Sequence, residues 1–196
     1  MMTRELTKRQ EEIINCAVRL ISEEGIQNLT IRRLAAAVGV TEPALYRHFT
    51  NKFDILDTVL DCFEGASDEV LSKLADEKVT PLEKIQLFIL DRIGRMVENP
   101  HLARVMFSEE IFQDDQRLSE KVLKIMHSHG AKLRLIVQEG QKRGEIRQDI
   151  EPIVMFRLIF GPVRLLIKQW CLSGFAFDLE AEGNKLWDGM SRIIVK

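Results

Sequence analysis

With one tyrosine, three cysteines and five prolines among 196 residues, this chain is poor in several residue types, and each scarcity excludes something. Cys16, Cys62 and Cys171 are odd in number, widely spaced and set among apolar residues. They exclude a disulfide framework and a paired-thiolate zinc site, and they predict reduced core thiols. Long apolar runs are also missing: the most apolar stretch, Pro152 to Trp170, is interrupted by Arg157, Arg164 and Lys168 and is too polar to span a membrane. The amino-terminal MMTRELTKRQEE has no apolar signal core, so the cytoplasm is the expected compartment and no membrane partner is expected. There is no phosphate-binding glycine loop, no Ser-His-Asp arrangement and no nucleophile elbow. His127 and His129 stand two apart and would diverge on a helix rather than share a metal. The reading is therefore not an enzyme, with no catalytic residue, metal or cofactor.

What is present is a soluble globular composition, 45% apolar and 30% charged with a net charge of −2. Residues 1–52 carry eight Lys/Arg against six Asp/Glu, and the remainder carries twenty against twenty-four, an asymmetry that agrees with a DNA-binding head without establishing one. Apolar residues recur at helical spacing almost throughout. Helices are predicted from Thr7 to Glu24 with Gly25 as the stop, Thr30 to Gly39, from Thr41 through Phe49, and from Asn51 to about Ala75. Others follow from Thr80 to Asn99, Leu102 to Phe112, Gln116 to Lys142 closed by Gly144, Pro152 to Leu172 with a kink at Gly161-Pro162, and Leu179 to Val195. No alternating pattern supports a strand. The fold class is all-α, about nine helices, divided into a DNA-binding head (1–52) and a ligand-binding and dimerisation body (53–196).

The stretch Thr30 to Lys52, TIRRLAAAVGVTEPALYRHFTNK, punctuates itself as two short helices and the start of a third. Thr30, Thr41 and Asn51 are predicted N-caps, Gly39 a stop, and Pro43 sits in a first turn, where its missing N–H costs little. Two helices joined by a tight turn form a helix-turn-helix, whose second helix enters the major groove. Thr30, Thr41, Tyr46, His48 and Lys52 suit phosphate contacts, with Arg32 and Arg33 adding to them. Arg47 suits a guanine edge, Glu42 a cytosine amine and Ala44 a thymine methyl.

The pattern TxRxLAxxxGVxxxxLYxHFxxK, Thr30 through Lys52, resembles the signature of the TetR family of one-component repressors. The resemblance implies a homodimer on a palindromic operator in double-stranded DNA, with a small-molecule effector held in each body. A looser similarity covers Asn99 to Met126, which is similar to the nucleoid-occlusion branch of the same family. It implies an alternative, a DNA-bound adaptor acting through a protein partner.

Candidate ligand residues, by position and type, are Phe63, Phe88, Arg92, Met96, Met106, Phe107, Glu110, Met126 and Arg164, all of which could equally be ordinary core or surface. Arg92 and Arg164 stand out because an arginine within an apolar stretch needs an acid partner or an anionic ligand if it is buried. The helix from Pro152 is apolar on nearly every face and needs cover all round. Phe156, Phe160, Val163, Ile167 and Trp170, with Trp187, Met190 and Ile194, are therefore the expected dimer face.

Overall fold

The computed structural model describes residues 6–74, 78–108 and 110–195, except the side chains of 67–69, 71–73 and Glu110. The described residues form α1 (Lys8–Glu24), a 3-10 turn (Ile26–Asn28), α2 (Ile31–Val38), α3 (Glu42–Tyr46), α4 (Lys52–Lys73) and α5 (Pro81–Glu98). They continue through α6 (Pro100–Met106), α7 (Glu110–Gln113), α8 (Gln116–Arg143), α9 (Pro152–Leu172) and α10 (Leu179–Ile194).

Local chemistry sets these boundaries. The Thr7 and Thr80 hydroxyls accept from backbone N–H groups in reciprocal capping boxes with Gln10 and Glu83, satisfying donors that have no intrahelical partner. Gly39 closes α2 in the left-handed region, at φ 75°, where a Cβ would be strained. Asn99 ends α5, and its side chain accepts from Leu102 N (3.1 Å) to start α6. The single short helix expected from Leu102 to Phe112 is two helices, because the backbone leaves helical geometry at Phe107, φ −101° and ψ 6°. The described count is thus ten α-helices rather than nine. α9 runs continuously through Pro162.

One apolar core joins the first four helices to the body. Ile13, Leu34, Leu45, Phe49, Ile55 and Leu60 pack in a single cluster with Val105, Ile111, Phe112, Leu118 and Ile125. Packing therefore does not part at residue 52. A second core lies among α5, α8, α9 and α10, around Ile89, Val137, Met155, Ile159 and Trp187.

This second core corrects the expected dimer face. Val163, Ile167, Trp170, Trp187, Met190 and Ile194 are all buried within the chain itself. Trp170 Nε1 also donates to Phe177 O at 3.0 Å. Phe156 and Phe160 are half-buried, stacked at 4.9 Å on each other, with Phe160 edge-on to Phe88 at 5.7 Å. A helix apolar all round gives no periodicity from which to choose its inner side, and the faces of the neighbouring helices choose it instead. The apolar residues and glycine that α9 leaves outside are Val154, Leu158, Gly161, Leu165 and Leu172, the last 78% exposed, beside exposed Arg157, Arg164 and Gln169, with Leu135 of α8 also exposed. Cys16 and Cys171 are buried as expected, but Cys62 is exposed. Among the described residues no helix is long and apolar enough to cross a membrane, and no cluster of residues could hold a metal ion.

Candidate DNA-reading head and body cavities

α2 and α3 are held by buried Leu34, Ala35, Leu45 and Phe49, which fix the turn between them and turn the polar residues outward. Arg32, Glu42, Pro43, Tyr46 and Arg47 are exposed; Ala44 and His48 are half-buried. Thr30 Oγ1 accepts from Arg33 N at 3.2 Å and Thr41 Oγ1 from Ala44 N at 3.4 Å. Each threonine is exposed, and its hydroxyl hydrogen remains a donor suited to a phosphate oxygen.

Two cations are placed otherwise than expected. The Arg33 guanidinium donates to Glu24 and, at 2.8 Å, to Asn28 Oδ1, so it ties α2 to the end of α1. Lys52 is half-buried and its Nζ donates to Ile26 O at 2.7 Å. Burial lowers its pKa, partly opposed by the charge of Asp114. Lys52 thus fastens the first turn of α4 to the 3-10 turn of the head, a contact that offsets the unfavourable placement of a cation at a helix N-terminus.

In the body, the candidate ligand residues divide between two cavities. A cavity of about 290 Å³ is walled by Leu60, Phe63, Met106, Phe107, Phe112 and Val122 among others, and the exposed Met126 and Arg164 line it on the solvent side. A second, of about 180 Å³, is walled by Phe63, Phe88, Arg92 and Met96 among others. Phe63 on α4 borders both. The Arg92 guanidinium lies 4.6 Å from the Phe63 ring centroid and 5.4 Å from that of Phe88. Its burial lowers its pKa to about 10, with Asp91 raising and Arg95 lowering it. Arg164 is exposed, 5.5 Å from the Phe107 ring, and is not the buried arginine the sequence suggested. The side chain of Glu110 lies outside the described residues.

The profile of bacterial regulatory proteins of the tetR family matches residues 13–59, and that of the YsiA-like protein C-terminal region matches residues 65–192. The nucleoid occlusion factor SlmA of Edwardsiella ictaluri is 30% identical over 190 residues, covering 95% of this chain and 96% of that protein. The chain belongs to the TetR family. Among solved structures, FadR from Bacillus halodurans superposes with a TM-score of 0.85 at 21% identity over 96% of this chain and 97% of that one. FadR from Bacillus subtilis, in complex with stearoyl-CoA, superposes with a TM-score of 0.78 at 26% identity, covering 92% and 97%. This chain is accordingly a DNA-binding transcriptional regulator with a TetR fold.

Three tertiary ties in this TetR-family chain, the last two joining head to body, depend on how the helices pack. Lys121 of α8 reaches Asp57 and Asp61 of α4, at 2.6 Å each, and Asp57 O at 2.9 Å. Burial works against the Lys121 charge, but the two carboxylates outweigh it and raise its pKa. On α6, His101 Nδ1 lies 3.1 Å from Ser22 Oγ, and Arg104 Nη1 donates to Ser22 O at 3.2 Å. The Arg104 guanidinium also covers the ring of Phe175 at 4.6 Å. Only the i, i+4 spacing of Asp57 and Asp61 offered any sequence signal, since it puts both carboxylates on one face of α4.

The Lys52 tie gives a test. Lys52→Met keeps the stem and removes the donor. Stability in urea unfolding should change by less than about 1 kcal/mol, because the missing bond and the relieved burial of charge offset each other. DNA affinity should fall by the same factor on every sequence, in anisotropy titrations over a duplex panel; a sequence-dependent loss would give Lys52 a reading role instead.

Proposed function

We propose that the chain is a ligand-released repressor, dimeric and cytoplasmic, whose effector is an amphipathic small molecule with an apolar chain and an anionic end, an acyl thioester of coenzyme A. Residues 1–52 serve as the reader and 53–196 as the sensor and dimer body. The observation that carries the effector is the apolar cavity of about 290 Å³ with the exposed Arg164 at its rim, which suits a ligand that buries an acyl chain and leaves phosphates outside. The stearoyl-CoA held by the Bacillus subtilis relative supports the same class. The dimer rests on α9's exposed stripe of Val154, Leu158, Gly161, Leu165 and Leu172, spaced as a helix seam.

Release is then a population shift. The repressing dimer holds its heads about 34–36 Å apart, to meet successive major grooves. A ligand that binds better to another separation weakens DNA binding by that difference in affinity and no more. α4 carries the shift, since it begins at the Lys52 tie and continues past Leu60 and Phe63 in the cavity wall.

A palindromic duplex selected from random sequence by the protein itself provides the probe. Decanoyl-CoA at saturation should weaken its binding by about 5–150-fold, the usual span of such couplings, measured by anisotropy. The relatives named nucleoid occlusion factor favour a second reading, an adaptor that stays on DNA and acts through a protein contact. DNA affinity indifferent to acyl-CoA thioesters of every length would select it.

A further inference from the structure

Phe63 borders both cavities, and Arg92 stands directly behind it. From these two placements, and resting on the effector class proposed above, we infer that Phe63 backed by Arg92 is the end-stop that sets acyl-chain length, and that the chain accommodated is of medium length, near ten carbons.

The cavity of about 290 Å³ corresponds to roughly ten volumes of about 30 Å³, the share of one water in the liquid and similar to that of a chain carbon with its hydrogens. A chain entering at the rim formed by Leu123, Met126 and Arg164 runs toward α4 and meets the Phe63 ring. Beyond that ring the next group is a half-buried guanidinium, 4.6 Å from the ring centroid, its charge disfavoured by burial. A methyl terminus pushed past Phe63 would have to displace the ring from this cation and then take the place of its remaining polar surroundings, which is unfavourable. The second cavity, about 180 Å³, is therefore space that the wild-type chain withholds. Truncating Phe63 joins it to the first.

The test is calorimetric titration of the full-length protein with hexanoyl-, decanoyl- and tetradecanoyl-CoA. In the wild type, affinity should climb steeply from six to ten carbons, by up to about fourfold for each methylene buried, and then level off. Phe63→Ala should keep climbing, shifting the tetradecanoyl-to-decanoyl affinity ratio by at least about tenfold. Phe63→Trp should move the plateau to a shorter chain. Arg92→Met, similar in length but uncharged, should relax the stop in the same direction as Phe63→Ala, whereas Arg92→Lys should preserve it. Unfolding curves identify any variant that fails to fold, and the remaining ones decide. If the wild type already prefers tetradecanoyl-CoA, or if the order of affinities is the same in all folded variants, the end-stop is overturned while the effector class stands. If the wild type binds none of the three, both fall.

Discussion

Leu165→Glu is expected to turn the protein into a folded monomer whose affinity for its palindrome is lower by at least about two orders of magnitude. Leu165 is 57% exposed in the isolated chain and Leu158 is 49% exposed, so a glutamate there displaces nothing inside the protomer and should leave its unfolding curve nearly unchanged. In a two-fold dimer the same patch faces its own copy. The substitution then brings two carboxylates into one apolar seam, and an uncompensated buried charge costs about 3–5 kcal/mol. That cost, set against an interface built from leucines, is enough to separate the subunits at micromolar concentration. The palindrome then loses the second head, and with it the advantage of linked binding, commonly a factor of about 10²–10⁴. Sedimentation velocity gives the mass and anisotropy the affinity. A dimer that survives both Leu158→Glu and Leu165→Glu would move the interface away from this stripe. Trp187→Ala makes the contrast: it empties a site buried in the chain's own core and should cost about 3–5 kcal/mol of stability without acting first on assembly.

The second large effect is on sequence preference. Arg47 is exposed at the end of α3, and a guanidinium there can take both acceptors of a guanine edge, worth about 1–3 kcal/mol of discrimination. Arg47→Ala should therefore cut the preference for the best base over its rivals at one position in each half-site by about 5–150-fold. Arg32 is also exposed, at the start of α2, where it suits a phosphate. Arg32→Ala should weaken all duplexes alike and make the slope of log affinity against log salt shallower by about 1 for each phosphate it no longer neutralises. Measured over a panel with one base pair changed at a time, equal effects of the two substitutions on preference would remove the division between reading and holding.

The head was legible because its signals are local. Thr30, Gly39, Thr41 and Pro43 each act within one helical turn, and the structure uses each where the pattern predicts. What the sequence could not show is where a long side chain goes once the helices are packed. Arg33 and Lys52 have the right charge and position for phosphate, yet each also donates within the chain, to Glu24 and Asn28 and to Ile26, partners brought close only by the tertiary fold. α9 illustrates the opposite difficulty, since a helix apolar all round satisfies two burial patterns equally. Val163, Ile167 and Trp170 face inward and Leu158, Leu165 and Leu172 outward, and only the complementary faces of α5, α8 and α10 decide between them. Arg92 was legible as an unusual cation within an apolar stretch, and it is half-buried, whereas its position behind Phe63 depends on how α4 and α5 cross.

α6 is seven residues long, about 10 Å at 1.5 Å per residue. Met106 at its end and Phe107 just beyond help wall the larger cavity, while His101 and Arg104 hold Ser22 of α1. So short a helix has no length over which to absorb a displacement by bending. A mutation that reshapes the cavity at Met106 or Phe107 is consequently also a mutation of the grip on the head. Changes of effector preference arising there should come with altered basal repression, and lineages that acquire a new ligand by this route should carry compensating changes at His101, Arg104 or Ser22.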